Sequence, residues 1–131
     1  MYHTYKYPTT HTLLLLVFIL SLTSCGIKKS DMLAKEWNAT EVTLGETKLA
    51  ASDLGGLKYE FKPDRTFIYT ESDKTEQGRW AMNEDGSKVT LNFPETKRVV
   101  QQSVKELTAD KLVLDYDDHG MHRTVVLSPA K

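Results

Sequence analysis

The 131-residue chain holds a single cysteine, Cys25, so an internal disulfide and a multi-thiolate metal site are both excluded. Positive charge collects nowhere. The 17 Lys and Arg are interspersed with 18 Asp and Glu for a net charge of −1, and without a basic patch no nucleic acid partner is expected. The longest apolar stretch, Leu13 to Leu22, falls short of the roughly 20 residues needed to span a bilayer. A glycine-rich phosphate loop, a nucleophile elbow and an HExxH pair are all missing. These absences leave little for catalysis, and enzyme activity and cofactors are not expected.

Metal binding is disfavoured on similar grounds. Of the four histidines, His3 and His11 precede the apolar stretch, which leaves His119 and His122 beside Asp117 and Asp118. Successive strand residues point to opposite faces, so this group reads as a solvated hairpin tip and no metal ligand set is assigned. The acids and amides near 71–77 include Lys74 and lack the six to eight ordered oxygens of a calcium site.

The amino-terminal segment has the form of an export signal. A weakly positive head containing Lys6 precedes the apolar stretch, and small residues follow in Leu22-Thr23-Ser24-Cys25-Gly26. A cysteine directly after small residues, with Leu three positions upstream, resembles the lipobox of bacterial lipoproteins. The resemblance implies cleavage after Ser24, diacylation of the Cys25 thiol and acylation of the new amino terminus. Two or more acyl chains anchor stably where one does not, so membrane attachment through Cys25 is expected. An Asp after the cysteine would resemble an inner-membrane retention signal, and Gly26 stands there instead. Lys28 and Lys29 are the reverse of the acidic surface-export signals of some lineages. The expected location is the periplasmic face of the outer membrane. The chain divides into a signal peptide (1–24), a lipidated tether (25–32) and one domain (33–131).

That domain is patterned with period two. Leu57-Lys58-Tyr59-Glu60-Phe61-Lys62 alternates apolar and charged, as do Lys88 to Phe93 and Lys111 to Asp117 with Val113 as an exception. Turn signals stand between them at Pro63-Asp64, Asp85-Gly86, Pro94-Glu95, Ala109-Asp110 and His119-Gly120. Eight strands are predicted, over 36–44, 57–62, 66–71, 77–83, 88–93, 98–106, 111–117 and 121–127. One short helix is predicted over Asp31 to Lys35, with Ser30 as N-cap. Tight turns between short strands predict an all-β antiparallel meander, and closing it into a small barrel removes both exposed edges.

Trp37, Tyr59-x-Phe61-x-x-Asp64-x-Thr66-Phe67, Gly78-Arg79-Trp80 and Leu107-Thr108-x-Asp110-x-Leu112-x-Leu114, in that order and spacing, resemble the lipocalin-like domains of small Gram-negative envelope lipoproteins. The resemblance covers nearly all of 33–131 and implies a lipocalin-like barrel. Two departures stand out. Arg65 occupies the place of the usual turn glycine, so it must accept an unusual φ or the turn must change type. Arg123 lies early in the last strand, at the opposite end from Trp37, so the Arg-on-Trp closure of transport lipocalins is not expected.

Meander topology places 63–65, 83–87 and 108–110 at one end, which reads as a closed base. The connections 45–56, 72–77, 94–97 and 118–120 gather at the other, open end. The longest, Gly45 to Gly56, is either a lid or a surface loop with an apolar plug. Alternation turns Trp37, Tyr59, Phe61, Phe67, Tyr69, Trp80, Leu91, Phe93, Leu114 and Tyr116 inward. Their rings either fill the barrel or leave a shallow pocket near the open end lined by Tyr69, Trp80, Phe93 and Tyr116. A two-residue turn at His119-Gly120 would set Arg123 inward opposite Tyr116, while a three-residue turn would set His122 inward instead. An inward guanidinium needs a partner, and an acidic ligand group would serve. The sequence therefore predicts a lipid-anchored barrel binding a small hydrophobic or acidic amphiphile through Tyr69, Trp80, Phe93, Tyr116 and Arg123. The other reading is a non-catalytic module with a filled core that contacts or inhibits an envelope protein.

Overall fold

The computed structural model describes residues 28–131; Cys25, the signal segment and the first part of the tether lie outside them. A one-turn helix α1 (Lys29–Leu33) leads into nine strands: β1 (Glu36–Leu44), β2 (Thr47–Ala50), β3 (Leu57–Phe61), β4 (Thr66–Glu71), β5 (Lys74–Met82), β6 (Lys88–Phe93), β7 (Arg98–Leu107), β8 (Leu112–Asp118) and β9 (Met121–Pro129). From β3 to β9 each strand pairs antiparallel with the next, and β1 closes the circle by pairing with both β9 and β3. The eight expected strands thus form the closed barrel. All-β class, meander order and closure agree with the sequence reading.

The ninth strand corrects the expected 45–56 loop. Gly45 at φ 60° opens a two-residue turn that pairs Leu44 with Thr47, and glycine with positive φ at the first turn position is what a type II′ hairpin requires. β1 therefore shares one edge between two partners: Glu36 to Asn38 bond β3, and Glu41 to Leu44 bond β2. A 3₁₀ turn (Ala51–Leu54) then returns the chain to β3, with Ala51 buried. This segment is pinned structure rather than a lid.

The helix also differs from expectation. It begins at Lys29, after Lys28, and no side chain caps it. Burial holds it, because Leu33 is fully enclosed and its carbonyl accepts the Trp37 indole N–H at 3.0 Å. Lys35 Nζ lies 4.6 Å above the Trp37 ring, a cation–π contact. Arg123 pairs with Leu44, far along β1 from Trp37.

Below mid-height the barrel is packed solid. Trp37, Phe61, Phe67, Leu91, Leu112, Leu114 and Leu127 are at most 1% exposed. Phe61 meets Trp80 edge-on at 5.7 Å and Phe67 meets Phe93 edge-on at 5.1 Å, the arrangement that aromatic quadrupoles favour. Gly78, opposite Phe67, has its α-carbon so close to the next strand that a β-carbon would overlap the Asn92 carbonyl oxygen. β5 and β6 approach closely there only because no side chain intervenes.

The turn at the base resolves the Arg65 departure. Arg65 takes φ 72°, a left-handed value that costs a non-glycine residue roughly 1–2 kcal/mol. Two contacts offset it. Asp64 Oδ1 accepts the Thr66 amide at 3.0 Å and its hydroxyl at 2.6 Å, and the Arg65 guanidinium stacks 4.3 Å over Trp80.

Candidate functional site

β4, β5, β7, β8 and β9 bring their outer ends together around the open mouth. The last hairpin turns on His119 and Gly120, both with positive φ (51° and 79°), and pairs Asp118 with Met121 and Tyr116 with Arg123. The two-residue register is therefore the one adopted, and Arg123 points inward with its side chain only 12% exposed. His122 faces outward between Asp115 and Asp117, 3.0 Å from the latter. The Asp117 hydrogen bond, followed by the charge of Asp115, raises the His122 pKa above the ordinary histidine value. Among the described residues no group of three or more His, Cys, Asp or Glu is placed to hold a metal ion.

The inward guanidinium finds its counter-charge within the protein. Arg123 Nη1 donates to Glu71 Oε1 at 3.1 Å, and the Tyr69 hydroxyl donates to Glu71 Oε2 at 2.8 Å. A second pair lies beside it, where Arg98 Nη2 donates to Glu76 Oε2 at 3.1 Å while its guanidinium covers the Phe93 ring at 4.3 Å. The rim is thus built of internally neutralised pairs. Above them opens a cup of about 550 Å³ lined by Leu54, Tyr69, Lys74, Glu76, Arg98 and His119, among others. That volume falls in the range of small-molecule sites.

The cup narrows into a slot of about 30 Å³ walled by Tyr59, Tyr69, Leu91, Phe93, Val100 and Tyr116, with Arg98, Gln102 and Asp118 contributing polar atoms. At its floor, Gln102 donates from Nε2 to the Tyr59 hydroxyl at 3.1 Å, and that hydroxyl lies 3.5 Å from the hydroxyl of Tyr116. Burial, the largest influence on each, raises the pKa of Tyr59, Tyr69 and Tyr116, so all three remain protonated donors at physiological pH. Gln102 is 2% exposed, and its Oε1 has no partner. Swapping the amide oxygen and nitrogen would only move the deficit to the other atom. The Nε atoms of Arg98 and Arg123 are likewise enclosed and unbonded. Each group left without a partner costs about 1–3 kcal/mol.

Of the five residues expected to line a site, Tyr69, Phe93 and Tyr116 meet in the slot, and Arg123 stands at the rim beside Tyr69 through Glu71. Trp80 does not join them. β5 begins at Lys74 rather than at 77, which carries Trp80 toward the base, where its indole N–H bonds the Lys62 carbonyl at 3.0 Å. Tyr69 is half-buried rather than part of the sealed core. The sequence reading passed over Gln102, Arg98 and Tyr59 as site residues. Alternation from Val100 through Val104 would have turned Gln102 inward.

No family model matches the chain, and no curated protein matches it. Among solved structures it resembles a lipocalin-like protein from Bacteroides uniformis. The two share 14% identity at a TM-score of 0.59, over 76% of this chain and 99% of that one. At that identity the likeness speaks for the fold. The chain folds as a lipocalin-like closed antiparallel barrel with its mouth between β4, β5, β7, β8 and β9.

Proposed function

We propose that this barrel is a binding protein for a small amphiphilic molecule held at its open end, and that it works tethered to a membrane through Cys25. The observation that carries the reading is the cup with an ion-paired wall and the slot below it, over a tightly packed lower half. The ligand's apolar surface lies on the rings of Tyr69, Tyr116 and Phe93, and its polar part meets Glu71, Glu76 and Arg98 in the cup and Gln102 in the slot. The slot takes one small group and no more, so the body of the ligand occupies the cup. A long acyl chain threaded through the barrel does not fit, because the lower half is filled by Trp37, Phe61, Phe67 and Leu91.

Tethering suits this arrangement. Lys28 follows Cys25 by three residues, which span at most about 10 Å when extended. α1 sits at the base, with Lys29 Nζ bonded to the Asp85 carbonyl and Lys35 Nζ to the Ala109 carbonyl. Acylation at Cys25 would hold the closed end near the bilayer and turn the mouth toward the aqueous compartment, the periplasm on the outer-membrane reading of the sequence.

Native mass spectrometry of protein recovered gently from its own host's envelope tests both parts. The expected spectrum shows acylation at the amino-terminal cysteine, together with an added mass that leaves on denaturation. A bare polypeptide mass, unchanged by small molecules, refutes the ligand reading and leaves the barrel as a module that contacts another protein. Recovery of the wild-type chain in the soluble fraction refutes the anchor.

A further inference from the structure

The rim and slot together specify more than a small amphiphile. We propose that the group recognised at the floor of the cup is uncharged and hydroxyl-bearing, the chemistry of a sugar ring or of a glycosyl or glycerol headgroup. This inference rests on the binding reading above and names the ligand class.

Charge comes first. Arg98 and Arg123 are already neutralised by Glu76 and Glu71, so neither arginine presents a net charge to a ligand in the cup. Asp73 and Asp118 also line the cup against the single Lys74, so the charge outside the two pairs disfavours an anion. A hydroxyl breaks neither ion pair. It donates to a carboxylate and accepts from a guanidinium while both stay in place, since each has spare lone pairs or protons.

The unmatched atoms come next. Gln102 Oε1 is an acceptor without a donor, Arg98 Nε is a donor without an acceptor, and both residues wall the slot. A hydroxyl is the smallest group that donates and accepts at once. Both atoms are enclosed, so the Gln102 and Arg98 side chains must shift to present them to a hydroxyl entering the slot. A carboxylate would leave Gln102 Oε1 facing a second acceptor, and an ammonium would leave Arg98 Nε facing a second donor. Tyr69 and Tyr116 wall the same slot, and aromatic faces suit the C–H surface of a ring that carries hydroxyls on its edge.

Titration of the ¹⁵N-labelled protein with four probes below their micelle concentrations tests this. The probes are methyl β-glucoside, octyl β-glucoside, octyl sulfate and octyltrimethylammonium, read at the Gln102 carboxamide and Arg98 Nε–H resonances. Octyl glucoside is expected to move both resonances and to bind about tenfold tighter than either ionic probe, the scale of one well-made hydrogen bond. Gln102→Leu is expected to remove that preference. Equal binding of methyl glucoside supports a free sugar as the ligand, and binding of the octyl form alone supports a headgroup on a lipid. Tighter binding of either ionic probe, or glucoside binding that Gln102→Leu does not touch, overturns the inference and leaves the binding reading standing. Silence from all four probes also overturns it, while the native mass continues to decide whether anything binds at all.

Discussion

Replacing Gln102 with leucine should stabilise this protein, although it deletes a buried hydrogen bond. The bond from Gln102 Nε2 to Tyr59 contributes about 0.5–1.5 kcal/mol net, whereas the unpartnered Oε1 costs about 1–3 kcal/mol. Leucine is close to glutamine in volume and enters beside Val89 and Leu91, both at most 1% exposed. Tyr59 keeps its contact with the Tyr116 hydroxyl at 3.5 Å. The balance favours the variant by roughly 1 kcal/mol, which in a domain of this size raises Tm by about 4 °C or slightly more. Urea denaturation followed by tryptophan fluorescence, with an unchanged m-value, measures it. A loss of stability of about 1 kcal/mol or more would show that Oε1 is satisfied, and the argument that Gln102 is kept for binding would fall with it.

Three further outcomes follow from the packing. Gly78→Ala forces β5 away from the Asn92 carbonyl and should cost about 3 kcal/mol or more; a urea midpoint close to wild type would contradict the described strand approach. Arg65→Gly exchanges left-handed strain for the stacking on Trp80 and should lie within about 1 kcal/mol of wild type, whereas Arg65→Ala keeps the strain, loses the stacking and should be the less stable of the two. The raised pKa of His122 means that its protonated form is favoured by folding. Its contribution is full below the unfolded histidine value near 6.5 and fades as pH rises through the folded value. Wild type should therefore lose Tm relative to His122→Gln between about pH 6 and 8, and parallel profiles would deny the Asp117–His122–Asp115 bridge.

The barrel was legible in the sequence because its inner face is nearly continuous in the alternation of β3, β6 and β8. Tyr59 and Phe61, Leu91 and Phe93, and Leu114 and Tyr116 all fall inside as the pattern requires. Two bulges hid the rest. The register of β1 slips between Ala39 and Glu41, so Trp37 and Val42 share the interior although they sit on opposite parities. β7 slips in the same way between Val104 and Glu106. A period-two reading cannot cross an inserted residue without turning every later side chain to the wrong face. The hairpin at Gly45 was missed because Thr47 to Ala50 has little apolar character, and β2 gets its order from pairing with β1. Trp80 was assigned to the right face at the wrong height, because alternation fixes which way a side chain points and says little about where along its strand it stands. The ion-paired rim lay beyond any sequence pattern, since Glu71 and Arg123 stand 52 residues apart and meet only on closure.

That closure has a temporal consequence. Trp37 pairs with Pro129, so the strand that is synthesised first finds its far-edge partner only in the strand made last. Until then β1 exposes a row of unpaired amides and carbonyls, and contacts this distant in sequence form slowly. The β1–β2 hairpin completes itself from residues 41–50 alone. It covers, from the outset, half of the edge that β1 later shares with β3, and leaves open only the edge that awaits β9 and the stretch reserved for β3 while the remaining 81 residues arrive.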